Sequence, residues 1–438
     1  MAMHATEVAF ETTSTPSAKR KPEAPPSKQV EAEPSKLQVA TLRINHVKQD
    51  IKIVFPDLKK NPSVPAYKLL EHVKTVVLET NTDCIANNGA YTRLCSYFDG
   101  HDALFDNASA LKLEILASSS NMTMNENEAM NNAALFVTKL RQLVHVCSKV
   151  DVAVTMRKSR PNYFASEIAG LVVSRLFSNM SGIGLSVDKQ IPDMCINTEH
   201  INGLTSLEYT SDRNYAEIHE IITNNQKTLK LLKLNCYVTD LNLFFSNDEG
   251  RGPEVQFPSL LELEINGRYV YESPKIHMAA AVPFPNLRRL AITGEYSFID
   301  DAVFRGNEQT LAELYIVMNA ETLVLLNGHD VFARGRFKAL EKVTVSSNFQ
   351  DCFESGLPTE LYNVISELLI SLASQTSSLT YIEEFDTHFE DFIDAFKASK
   401  SELGKLKELI LPGTRLYQYL VREVKDVFPS LKKLKLQN

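Results

Sequence analysis

The chain has 438 residues, 44% of them hydrophobic and 23% charged, and a formal net charge of -8. This balance fits a soluble folded protein with a large core, and it argues against nucleic acid as partner, because phosphate binding needs a surplus of Lys and Arg on one face. No stretch near the start has a signal peptide's apolar run, and none later is long enough for a membrane span, so the expected setting is cytoplasmic, with no membrane partner.

Residues 1–36 are rich in Ser, Thr, Pro, Ala, Lys and Glu. A segment so poor in apolar side chains cannot offset the entropy of ordering its backbone, and a disordered tail is expected. Within it Lys19-Arg20-Lys21 has the form of a nuclear address and Thr15-Pro16 that of a phosphorylation site, although both patterns are common in solvated tails. The six cysteines (Cys84, Cys95, Cys147, Cys195, Cys236 and Cys352) include no C-x-x-C pair, which fits buried reduced thiols.

From residue 37 onward one spacing recurs: aliphatic-x-x-aliphatic-x-aliphatic. It begins at Val39-Leu42-Ile44 in a segment that reads as a strand, then returns at Val73-Val76-Leu78, Ala108-Leu111-Leu113, Cys147-Val150-Val152 and Met180-Ile183-Leu185. More regular copies follow at Leu204-Leu207-Tyr209, Leu229-Leu232-Leu234, Leu260-Leu263-Ile265, Leu287-Leu290-Ile292, Leu311-Leu314-Ile316 and Leu340-Val343-Val345. A degraded copy at Leu379-Ile382 precedes Leu406-Leu409-Leu411 and Leu431-Leu434-Leu436. First positions lie 24 to 39 residues apart, with a median of 29.

Such a period predicts an α/β leucine-rich-repeat solenoid, a horseshoe of about 12–14 irregular repeats over 37–438, less regular over 37–200 than over 201–438. Residues two apart in a strand share a face, so the last two aliphatics of each triplet point into the core while the first plugs the preceding turn. Between triplets the period changes to that of a helix, as in NYAEIHEIITNNQKTL, LYNVISELLISLAS, HFEDFIDAF and RLYQYLVREVKDVF. Parallel strands inside and helices outside are the expectation.

Three triplets carry a Phe-Pro prefix: FPSLLELEING from 257, FPNLRRLAITG from 284 and FPSLKKLKLQN from 428. Proline cannot continue a helix and biases its predecessor towards an extended backbone, so Phe-Pro should turn the chain into the next strand, with Phe257, Phe284 and Phe428 in the core. FPDLKK at 55–60 has no following Leu-x-Leu and reads as a loop.

The segment AVPFPNLRRLAITGEYSFIDDAVFRGNEQTLAELYI, residues 281–316, resembles one shared by a large set of fungal leucine-rich-repeat proteins, many of which carry an F-box. The irregular units also resemble the F-box-associated and ribonuclease-inhibitor-like classes. The resemblance implies a role as substrate receptor in ubiquitination, with ubiquitin-ligase scaffold subunits as partners. No Leu-Pro-led helical F-box is found after the tail, and the family supplies no catalytic residues.

No nucleotide-binding, zinc-protease or nucleophile-elbow motif occurs, so no catalytic, cofactor or metal residues are assigned. His388 stands among carboxylates, yet Glu390, Asp391 and Asp394 fall opposite Phe389, Phe392, Ile393 and Phe396, as on the wet side of an amphipathic helix. The glycines of SGIGLS at 181–186 are read as relief of crowding within a strand.

Positions flanking the inward pairs define the concave wall. There the partner-binding candidates are Glu208, Lys233, Glu262, Glu264, Arg289, Glu313, Tyr315, Lys342, Tyr381 and Glu383. Mixed charge with Tyr and Arg resembles a protein-binding patch more than a small-molecule pocket, although exposed polar positions are also what any strand shows to water. The expected function is that of a non-enzymatic scaffold binding a protein partner. The alternatives are a regulator of a small GTPase or nuclease, and an enzyme with an unrecognised site.

Overall fold

A computed structural model describes residues 40–45, 50–54, 73–87, 108–118, 125–144, 147, 149–156, 163–177, 183–187, 198–211, 215–236, 256–267, 284–294, 304, 306–318, 332, 335–347, 359–383, 392–412 and 423–437. The expected tail, FPDLKK and the His388 cluster other than Asp394, Phe392, Ile393 and Phe396 lie outside the described residues.

The described strands form a single sheet of fifteen. In chain order they are β1 (Ala40–Asn45), β2 (Asp50–Val54), β3 (Val73–Asn81), β4 (Ala110–Ala117), β5 (Lys149–Met156), β6 (Ile183–Val187), β7 (Leu204–Ser211) and β8 (Leu231–Cys236). They continue as β9 (Glu262–Gly267), β10 (Arg289–Gly294), β11 (Glu313–Met318), β12 (Lys342–Ser347), β13 (Ser378–Glu383), β14 (Glu408–Pro412) and β15 (Lys433–Gln437). From β4 to β14 each strand lies between its predecessor and its successor, and every pairing from β3 to β15 is parallel. β1 continues the parallel order beside β3, and β2 closes that end antiparallel to β1.

The fourteen parallel strands correspond one to one with the fourteen spaced copies in the sequence, including the loose early ones. The physical reason is visible in one unit: Leu260, Leu263 and Ile265 are all buried, and Leu263 pairs in register with Leu232 on one side and Leu290 on the other. A single strand cannot bury that face alone, whereas a stack buries it as one core running from Ile44 to Phe428. Each fully buried Leu contributes about 2 kcal/mol.

The helices pack onto the same core. They are α1 (Thr82–Ala86), α2 (Glu126–Val144), α3 (Tyr163–Phe177), α4 (Tyr215–Asn225), α5 (Thr359–Gln375) and α6 (Ile393–Ala398). α4, α5 and α6 fall in segments whose helical period the sequence displays, and 423–427 adds a helical turn within the fourth. α2 and α3 explain the wide spacing of the units that begin at Ala108 and Cys147, since returns of 19 and 15 helical residues need longer units. Strands sit about 4.8 Å apart and packed helices about 10 Å apart, so a stack with helices on one side bends towards its strands. The strand face opposite the helices is therefore the inner wall.

The Phe-Pro prefix forms a tight turn. The amide of Leu260 donates to the Phe257 carbonyl at 3.2 Å, Leu287 to Phe284 at 3.3 Å and Leu431 to Phe428 at 3.1 Å. Proline at the second place of such a turn has its φ already set. All three Phe side chains are buried, and the rings of Phe257 and Phe284 stack with centroids 5.5 Å apart.

Two other corners use buried amides. Asn225 donates from Nδ2 to the Ile201 and Ile221 carbonyls at 2.8 and 2.7 Å and accepts from the Leu204 amide at 2.8 Å, tying the end of α4 to the preceding corner. Gln375 does the same at the end of α5, accepting from the Phe337 amide at 2.8 Å and donating to the Phe332 carbonyl at 3.3 Å. Backbone groups that would otherwise be buried without partners are thereby satisfied.

One repeat departs from its expected register. In β13 Leu379 pairs with Val343 and Tyr381 with Val345, and Thr376, Leu379 and Tyr381 are all buried. The triplet is therefore Thr376-Leu379-Tyr381, and Ile382 belongs to the wall rather than to the core.

Candidate interaction wall

Three rows of side chains cross the inner wall. In the first row Ser206, Leu231, Glu262, Arg289, Glu313, Lys342, Ser378, Glu408 and Lys433 are successive register partners. The second row runs Glu208, Lys233, Glu264, Ala291, Tyr315, Thr344, Thr380, Ile410 and Lys435 along the same pairings. The third begins with Thr210, Asn235, Asn266 and Thr293.

Adjacent charges in these rows pair across strands. Arg289 donates from Nη1 to Glu262 Oε2 at 3.2 Å and lies within 4.0 Å of both Glu264 and Glu313. Lys233 reaches Glu264 at 3.4 Å, and at the C-terminal end Lys433 and Lys435 reach Glu408 at 3.6 and 3.4 Å. Arg43 on β1 likewise pairs with Glu79 on β3, while Lys112 with Glu114 and Lys149 with Asp151 pair along one strand, in β4 and β5. Each is solvent-exposed and contributes at most about 1 kcal/mol, so the pattern orders the surface more than it stabilises the fold. Glu208 and Lys342 stand exposed and make no ion pair with a described residue.

The structure brings Glu208, Lys233, Glu262, Glu264, Arg289, Glu313, Tyr315 and Lys342 onto one continuous surface across β7 to β12. It does not bring Tyr381 there: that side chain is 1% exposed, in the core register of β13, so it cannot present a docking surface. Glu383 stands at the end of β13 opposite Ser347, outside the three rows. The positions of β13 that do line the wall are Ser378, Thr380 and Ile382.

The wall is not equally open along each strand. Ala291, Val317, Ser346 and Thr380 all occupy wall registers and are nevertheless buried. Over β10 to β13 the first row is therefore open throughout, whereas the closed position is the second row in β10 and β13 and the third row in β11 and β12. Repeat spacing carries no signal for this.

Gly184 shows why a glycine stands in β6. A Cβ there would lie 2.4 Å from Asp151 Oδ1, so the carboxylate of Asp151 leans across the space a side chain would take. Cys84 and Cys147 form no disulfide, and partial burial raises the Cys147 thiol above its ordinary pKa, keeping it protonated and weakly nucleophilic at neutral pH. Among the described residues no group of His, Cys, Asp and Glu could hold a metal ion, and no helix is long and apolar enough to cross a membrane.

Fold and wall together define an α/β solenoid built from leucine-rich-type repeats, with a polar inner surface. No protein-family model and no curated protein sequence matches the chain.

Proposed function

We propose that the chain is a non-enzymatic scaffold that binds a protein partner on its inner wall. The observation that supports this is the register-fixed band across β7 to β12. Its charges of both signs are held in order by neighbours, and Tyr315 and Arg289 lie among them. Such a surface offers large, preorganised contact area, and its charge pattern selects partners by complementarity. Neighbours within a row of the band lie about 4.8 Å apart, on adjacent strands, and the rows extend over six strands, which suits an extended protein surface better than a small enclosed ligand.

Glu208 and Lys342 provide the test, because reversing them breaks no ion pair among the described residues. The full chain should capture a partner from its own cells. The Glu208→Lys, Lys342→Glu variant, shown to fold by its unfolding midpoint, should lose that partner. Undiminished capture by the variant would remove the inner wall as the docking surface.

A further inference from the structure

Just before the first wall row runs another line of residues, at the N-terminal rim of the strands. Its members are linked by backbone bonds: the Leu261 amide donates to the Lys230 carbonyl, the Arg288 amide to Leu261 and the Ala312 amide to Arg288, each at 2.8 Å. Lys230 and Arg288 are exposed and make no ion pair with a described residue, and the same holds for Lys227 in the corner beside them. This contrasts with the wall itself, where Lys233 and Arg289 are matched by carboxylates. Between the two rim cations stands Leu261, 36% exposed and, with Leu135, one of the two large hydrophobic side chains most open to solvent among the described residues.

We infer that this rim is a docking site for an acidic segment of a protein partner, one that places an apolar side chain between carboxylates. The inference rests on the scaffold reading and names the partner's chemistry. Three neighbouring cations with no carboxylate partner among the described residues repel one another and form a local positive patch on a chain of net charge -8, and an arriving anionic group relieves that repulsion. Leu261 decides between classes of polyanion. A phosphate backbone offers nothing apolar to cover it, whereas a peptide with Leu or Phe between acidic residues covers it while its carboxylates reach Lys230 and Arg288. The platform is also fixed before binding. Ser259 Oγ donates to the Lys227 carbonyl at 2.7 Å, Asn286 Nδ2 to the Pro258 carbonyl at 2.8 Å, and the Gln256 amide to Gln226 Oε1 at 3.2 Å, so successive corners are tied together and little order remains to be imposed.

The test uses the full chain and a short fluorescent peptide with leucine flanked by glutamates. A peptide with serine replacing the leucine and a single-stranded oligonucleotide of equal charge are the comparisons. The leucine peptide should bind, the serine peptide about fivefold more weakly, and binding should weaken at raised salt. Lys230→Glu with Arg288→Glu should weaken it at least about tenfold, and Leu261→Ser about fivefold, with unfolding midpoints near wild type. Absence of peptide binding, indifference to the three substitutions, or tighter binding of the oligonucleotide would each overturn the inference. A partner captured through the wall but insensitive to the rim variants would overturn it while leaving the scaffold reading intact. A partner insensitive to both wall and rim variants would overturn the scaffold reading itself.

Discussion

Arg289 and Glu262 face each other across β10 and β9, with Nη1 to Oε2 at 3.2 Å, and the same guanidinium is the one cation that Glu262 and Glu313 share in the first wall row. Removing it leaves three carboxylates, those of Glu262, Glu264 and Glu313, and among the described residues Lys233 is then the only cation paired with any of them. Arg289→Ala should therefore lower stability by about 1 kcal/mol in dilute buffer, and the loss should shrink in high salt as screening weakens the repulsion. Denaturant midpoints at two ionic strengths check this; a loss independent of salt would mean that packing, not charge, governs the site.

The stacked pair Phe257 and Phe284 links two successive corners. Phe284→Ala should cost about 3–5 kcal/mol, through lost transfer energy and the cavity left behind. A double-mutant cycle with Phe257→Ala should show a coupling of about 1 kcal/mol. Additive losses would deny that the rings stabilise each other.

Much of this was readable in the letters, because the repeat's signal is local: each triplet names its own corner and core residues without reference to distant chain. The early copies, such as Cys147-Val150-Val152, proved as real as the later ones. β2 escaped because a short antiparallel strand at an edge has no repeat to betray it. α2 was missed although Ala129, Ala133, Phe136, Val137 and Leu140, all buried, carry a helical spacing. β13 was misread because its corner is Thr376 and its last core residue Tyr381, and a pattern written in aliphatics passes over both. The wall's rows were legible in the same way, but not its ion pairs or its buried positions, which depend on side-chain reach between strands.

That register makes its own prediction. Tyr381→Ala should destabilise by about 3–5 kcal/mol, while Thr344→Ala, on the wall of the neighbouring strand, should change stability by less than about 1 kcal/mol. Equal small effects would return Tyr381 to the surface.

Gly184 and Asp151 should be coupled. Gly184→Ala alone forces the Asp151 carboxylate aside and away from Lys149, whose Nζ lies 3.2 Å from Oδ2, and should cost a few tenths of a kcal/mol to about 1 kcal/mol. In an Asp151→Ala background the same change should be neutral or stabilising, because alanine loses less backbone freedom on folding than glycine. A constant penalty in both backgrounds would contradict the steric account.

The inner wall as docking face is tested most directly by position-specific cross-linking. A photoreactive amino acid would replace Thr344 on the wall in one protein and Glu367, exposed on the outer helix α5, in another. After irradiation in the protein's own cells, the account predicts a discrete covalent adduct from position 344 and none from 367; an adduct from 367 alone, or from neither, would contradict it.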